Sequence, residues 1–334
     1  MLSDSDFLEF KKHQFDLLID ARSPDEFHHS HLPNALNFYA LNNLEHQEVG
    51  ILYRKNQALA KSKGAQYICA NMAKHIPKLT KHFHIGSKIG IYCARGGLRS
   101  KSIAVILSEL GYRVVRLKGG FKAYRAFLNE SFVQPLYFDL FSLCGNTGSG
   151  KTELLRLLPN AIDLEKMANH LGSSFGDILG DQPTQKAFEA RLFEQISKIK
   201  QYAFIESESR KIGNIILPLK LYESMCNAYK IHCFCSLENR IMRIEHFYKA
   251  RINEAKFQEC VKRISPYISM NFRLDLLQAY KKEQWQKLIA MLLEYYDKVY
   301  KKPSRVDFKL DTNDITKAKN ELLAFVKEKM KLKI

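Results

Sequence analysis

The chain has 334 residues, 46% of them hydrophobic, and 52 Lys+Arg against 35 Asp+Glu give a formal net charge of +17. That length exceeds what one core usually holds, so two domains are expected, and the lack of any run of ~20 apolar residues argues against a membrane-spanning helix. The charge excess favours a polyanionic partner reached through phosphate contacts.

The opening MLSDSDFLEFKK lacks the basic-then-apolar order of a secretory signal, so a cytoplasmic setting is expected. Seven cysteines at 69, 93, 144, 226, 233, 235 and 260 form no repeating framework and read as reduced thiols. Cys233 and Cys235 alternate in IHCFCSL and read as core packing on a strand.

FDLLIDARS (15–23) is a short apolar run ending in polar residues, the pattern of a buried strand feeding a loop. KIGIYCARGG repeats that design, SKSIAVILSELGY has helical periodicity closed by Gly111, RVVRLKGG reads as a strand and FKAYRAFLNE as a helix. Strands alternating with helices predict a parallel α/β sheet covered on both faces, over a first domain of residues 1–130. Pro135 lies in the linker to a second domain, 131–334. There the strand YFDLFSLCG precedes helical TELLRLL, and NAIDLE (160–165), YAFIESE (202–208) and KIHCFCSL (230–237) are further strands. From there to Ile334 the pattern is mostly helical, basic and aromatic.

Two loops carry chemistry. In YCARGGLRS, Cys93 follows a strand and precedes a helix expected from about Ser100. Gly96 and Gly97 permit the dihedrals of an anion-binding nest, Arg95 and Arg99 add charge, and the helix N-terminus points its positive end at the pocket. All three favour a thiolate, so Cys93 is expected to be a nucleophile with a depressed pKa beside an anion site. In CGNTGSGKT, residues Gly145, Asn146, Thr147, Gly148, Ser149, Gly150, Lys151 and Thr152 fit the phosphate-loop pattern between a strand and a helix. Backbone N–H groups would hold a diphosphate, Lys151 would neutralise it, and Thr152 could take Mg²⁺. Where a nucleotide hydrolase would place an Asp, YAFIESESRKIG offers Glu206, Glu208 and Arg210 for metal or water work. No base-specificity motif is present.

LIDARSPDEFHHSHLPNALNF, YCARGGLRS and RLKGGFKAY, in that order, resemble rhodanese-type sulfurtransferases. The resemblance implies that Asp20 and Arg22 support the Cys93 loop and that His31 to Ala35 mark the returning turn. Common single-domain rhodaneses place four residues between cysteine and arginine; five separate Cys93 from Arg99 here. That length also fits the cysteine phosphatases, which makes a phosphorus-containing anion plausible at Cys93.

A rhodanese domain followed by a phosphate-loop domain resembles the bacterial tRNA 2-selenouridine synthases. LEKMANHLGSSFG (164–176), QPTQKAFEARL (182–192) and IESESRKIG (205–213) carry the likeness into the second domain. The resemblance implies S-geranylation of wobble 2-thiouridine from geranyl diphosphate, then replacement of the S-geranyl group with selenium from selenophosphate. It also implies tRNA partners (Lys, Glu and Gln isoacceptors), a selenophosphate supplier, and no tightly bound cofactor. The phosphate loop would hold the prenyl diphosphate, and Arg95, Gly96, Gly97 and Arg99 the selenophosphate beside Cys93. Asn169, His170, Ser173 and Ser174 are expected at the second site, with Gln182, Gln185 and Arg191 as candidate substrate contacts. One alternative is a cysteine-dependent phosphatase or sulfurtransferase fused to a small-molecule kinase; another is a non-catalytic tRNA-binding or sulfur-relay module.

Overall fold

LLID, KIGIY and RVVRL are apolar without strict alternation because helices cover both faces of the sheet they build. The structure, a computed structural model, describes residues 2–173, 175–299, 303 and 305–331. It divides into one unit of Met1–Ser131 with Glu189–Glu194 and a second of Phe132–Phe188 with Gln195–Ile334.

In the first unit, β1 (Leu2–Ser5), β2 (Leu17–Asp20), β3 (Ala35–Asn37), β4 (Lys88–Tyr92) and β5 (Arg113–Leu117) form one sheet. Its order is β1-β5-β4-β2-β3 and every pair is parallel. Ile19, Ile89, Ile91 and Val114 are buried against Ile103, Ala104 and Leu107 of the helix Leu98–Glu109. Ile68, Met72 and Leu79 of the helix Gln57–His82 complete this core. That helix and its predecessor, Asn43–Lys55, fill a stretch the sequence pattern left unassigned. Each begins at an asparagine cap, Asn42 or Asn56. The loops after β2, β4 and β5 leave the carboxyl ends of parallel strands, where such sheets place their sites.

In the second unit, β6 (Asp139–Cys144), β7 (Ala161–Ile162) and β8 (Tyr202–Glu206) precede a small antiparallel hairpin, β9 (Lys211–Ile212) and β10 (Ile215–Ile216). β11 (Tyr229–Phe234) and β12 (Phe308–Asp311) complete a parallel sheet of order β12-β11-β6-β8-β7. One expectation is corrected. NAIDLE yields only a two-residue strand, because Asp163 caps the helix Leu164–Ala168 by accepting the Lys166 N–H. The C-terminal region is mostly helical, as expected, and within it β12 pairs with β11; its alternating burial suits an edge strand too short to stand out among basic helices. Leu310 and the helix Ile315–Lys331, through Ala318, Leu322 and Val326, pack into the core around Phe141 and Ile231. Among the described residues no helix is long and apolar enough to cross a membrane.

Candidate active sites

Cys93 directly follows β4 with its side chain buried, and Ser100 Oγ donates to Sγ at 3.2 Å. The helix starts at Leu98, two residues earlier than expected, with Gly97 as its N-cap and no side chain capping it. Its first-turn N–H groups are therefore left by the side chains beside the cysteine loop. Gly96 is left-handed at φ 68°, whereas Gly97 at φ −87° is extended and a Cβ there would meet open space. The nest thus requires one glycine of the pair rather than two. The second requirement lies elsewhere, at Gly120, where a Cβ would fall 2.1 Å from the Cys93 carbonyl. That closeness lets the Phe121 N–H reach the Cys93 carbonyl at 2.8 Å and the Lys122 N–H reach that of Ala94 at 3.0 Å.

Arg99 is not directed at the sulfur: Nη1 donates to Glu26 Oε2 at 2.5 Å. Burial opposes a charge on Glu26, but the Arg99 hydrogen bond and charge, together with the Ser23 N–H, outweigh it and hold the pKa below the usual range. Arg95 is exposed, while Arg116, absent from the expected set, donates to the Gly96 carbonyl at 3.4 Å and pairs with Asp4. Asp20 and Arg22 form a buried forked pair, Nε to Oδ1 at 3.0 Å and Nη2 to Oδ2 at 2.6 Å. Arg22 also donates to the Ser30 carbonyl at 2.6 Å and lies 3.8 Å from the Phe121 ring centroid. The pair therefore braces the residue that hydrogen-bonds the Cys93 carbonyl.

The second loop leaves β6 at Cys144 and enters the helix Lys151–Leu157. Gly145 approaches β11 so closely that a Cβ would lie 2.2 Å from the Cys233 carbonyl. Lys151 Nζ curls back to donate to the carbonyls of Gly145 at 2.7 Å and Asn146 at 3.2 Å, which holds the ammonium over the loop. Thr312, fully buried, places Oγ1 2.7 Å from the Ser149 carbonyl and 2.9 Å from that of Phe234. Arg240 braces Thr147 by donating to its carbonyl at 2.8 Å. Thr152 Oγ1 donates to Glu206 Oε1 at 2.7 Å and lies 3.3 Å from Glu165 Oε2.

Glu206 Oε2 is buried without a partner. Burial, then repulsion from Glu165, raises the Glu206 pKa; burial, then Glu208, raises that of Glu165. Glu208 is pushed up to about 7 by burial and then by Glu206. The result is a cluster of three desolvated carboxylates facing Lys151 and Thr152. Among the described residues no group of three or more His, Cys, Asp or Glu is arranged to hold a metal ion.

With both sites laid out, the comparisons give them a context. The family model for a rhodanese-like domain matches residues 5–127, and that for the tRNA 2-selenouridine synthase AAA domain matches residues 138–282. A tRNA 2-selenouridine synthase of Pseudomonas syringae pv. syringae B728a is 31% identical over 93% of this chain and 94% of its own. That of Sulfurovum sp. NBC37-1 is 33% identical over the same shares. The one from Pseudomonas syringae pv. tomato DC3000 is 37% identical over 68% of this chain, a match spanning 64% of that relative. The chain belongs to the tRNA 2-selenouridine synthase family.

Of the other residues expected at the second site of this family member, several build loops instead. Asn169 is left-handed at φ 49° and its amide donates to the carbonyls of Leu179 and Asp181. Gln182 donates to Ala168 and Ile212 carbonyls and accepts the Asn214 N–H, while Gln185 exchanges bonds with both backbone groups of Ile216. These two amides are struts between segments rather than free substrate contacts. Arg191 and Arg210 are exposed. His170 is buried, accepts the Gly172 N–H at Nδ1, and has its pKa lowered by burial. Ser173 accepts the Phe175 N–H and meets Tyr248; Ser174 lies outside the described residues. Cys233 is core, but Cys235 is not: it sits against the phosphate loop, 3.8 Å from the Gly148 carbonyl, and accepts from Arg243 at 3.2 Å.

The residues missed from sequence are Ser100, Arg116, Gly120 and Glu165. Gly120 had a signal in the paired glycines of RLKGGFKAY, and Glu165 in the polar stretch LEKMANH. Ser100 and Arg116 owe their places to the fold alone.

Proposed function

We propose that the chain is a tRNA-modifying transferase that S-geranylates wobble 2-thiouridine and then exchanges the S-geranyl group for selenium. The observation that carries this reading is the presence of two separately built loops, each suited to an anion. One is built around a sulfur, Cys93, and the other around a lysine and a hydroxyl, Lys151 and Thr152.

A 2-thiocarbonyl sulfur is a poor leaving group, and alkylation turns it into a departing thiol. In that first step a bond forms between sulfur and the prenyl C1 while the bond from C1 to the diphosphate oxygen breaks. The uridine loses its N3 proton. Lys151 and the loop N–H groups stabilise the charge that develops on the diphosphate. A Mg²⁺ bound with that diphosphate would take hard oxygens from Thr152 and Glu206, a fit suggested by the orphaned Glu206 Oε2, and would neutralise the same charge. In the second step selenium from selenophosphate bonds to C2 while the C2–S bond breaks and geranyl thiol leaves; water then takes the phosphoryl group from selenium as phosphate, and Cys93, with Ser100 donating to its sulfur, serves this transfer. Arg95 and Arg99 neutralise selenophosphate, which must draw Arg99 from Glu26. A cytoplasmic setting, tRNAs for Lys, Glu and Gln, and a selenophosphate-making supplier complete the proposal on the strength of family membership.

The test is mass spectrometry of nucleosides from 2-thiouridine tRNA incubated with the protein and geranyl diphosphate, then with selenophosphate. Successive S-geranyl and selenium mass shifts support the reading. A folded, tRNA-bound protein that gives neither shift returns the chain to the phosphatase–kinase alternative.

A further inference from the structure

Next to the phosphate loop the second unit holds an apolar pocket open on one side. The helices Leu237–Tyr248, Glu254–Ile264 and Trp285–Val299 build its wall. Tyr248, Phe257, Trp285, Ile289 and Leu292 are among the side chains that line it. Each helix is amphipathic, and apolar residues three and four apart, such as Trp285, Ile289 and Leu292, bring one face to the cavity.

Pocket and loop are continuous. Thr147 of the phosphate loop lines the cavity, as does Ser173, whose hydroxyl meets that of Tyr248. Ile244, another lining residue, packs so closely on the loop that a Cβ at Gly148 would lie 2.9 Å from its Cδ1. A nucleotide base buried here would leave its polar edges short of partners, which is costly. A hydrocarbon needs only the apolar and aromatic surface that these side chains supply.

We infer that this pocket takes the hydrocarbon tail of a prenyl diphosphate whose head the phosphate loop holds, and that Ile289, buried in its wall, limits the chain length admitted. The assignment rests on the prenyl transfer proposed above, but the two are tested apart. Trp285 is the only tryptophan of the chain, so its fluorescence reports the pocket directly. Titration of the wild-type protein with geranyl diphosphate is expected to shift Trp285 emission saturably, while inorganic pyrophosphate leaves it unchanged. Ile289→Phe is expected to raise the KM for geranyl diphosphate at least tenfold, to affect dimethylallyl diphosphate less, and to leave inhibition by pyrophosphate as it was. Equal responses of Trp285 to both ligands, or no response to either, overturn the assignment; so does a folded Ile289→Phe protein with wild-type KM. Where Ile289→Phe fails to fold, the wild-type titration decides. If S-geranyl nucleoside forms while Trp285 is silent, the pocket falls and the transfer stands. If Trp285 responds to geranyl diphosphate alone while no product forms, the pocket stands and the transfer falls.

Discussion

Arg99 spends its guanidinium on Glu26, so an anion arriving at the Cys93 loop competes with a carboxylate for it. Glu26 also closes a capping box with Ser23, and glutamine at the same position of the box can keep that cap. Glu26→Gln therefore removes the competing charge without releasing the helix. The KM for selenophosphate is expected to fall by about tenfold, equivalent to ~1.4 kcal/mol, with geranyl transfer unchanged. An unchanged KM would place the anion elsewhere. At the other loop, Lys151→Ala removes the ammonium held over the loop by the Gly145 and Asn146 carbonyls. Its geranyl transfer rate is expected to fall by ~10²–10³, the usual cost of losing a preorganised donor to developing charge. Selenation of tRNA already carrying the S-geranyl group should be spared, which a single-turnover assay on that substrate checks. Cys93 and Lys151 stood out in the sequence because their spacing is fixed by local loop geometry. Ser100 and Glu165 did not, because each reaches its partner only after a helix has turned it back toward the loop.

Two elements set the loops in place, and each can be perturbed. The turn at Gly119 and Gly120, both left-handed, leads into Phe121 and Lys122, whose N–H groups bind the Cys93 loop. Gly120→Ala sets a Cβ against the Cys93 carbonyl, so selenation is expected to fall by at least tenfold while geranyl transfer persists. Parallel assays of the two steps check it. In the second unit, the turn Gly176–Leu179 is latched to the helix Glu254–Ile264 by Asp177, which accepts from Arg263 at 2.5 Å and Lys256 at 2.7 Å. Burial alone would raise the Asp177 pKa, but these two hydrogen bonds lower it to about 2. A carboxyl depressed on folding stabilises the native state above its unfolded pKa of ~3.9, and that contribution is lost as pH falls toward 2. Asp177→Asn is expected to lower stability at neutral pH and to flatten its fall between pH ~4 and ~2. Denaturant titrations across that range give the slope. Most strands were legible because parallel, doubly covered strands are written as apolar runs. β12 was not, since four residues on an edge borrow their register from β11.

Across the whole molecule, the excess of cations is a property no single element displays. If tRNA is held through phosphates, affinity should drop roughly 10³-fold or more between 50 and 200 mM salt for six to ten contacts. A flat response, measured by filter binding, would assign recognition to bases rather than charge. The two α/β units were visible in the sequence as two strand–loop–helix motifs in succession, and the family follows from motifs that span both. The amides of Gln182 and Gln185 show where such reading stops: polarity marked them as contacts, but the backbone groups they satisfy lie 14 to 32 residues away in sequence. The central claim is that alkylation and selenium exchange use different sites. Nucleoside mass spectrometry of 2-thiouridine tRNA treated with Cys93→Ala protein, geranyl diphosphate and selenophosphate tests it most directly. Accumulation of the S-geranyl nucleoside without selenium is the predicted result; a folded Cys93→Ala protein that forms no S-geranyl nucleoside would contradict it.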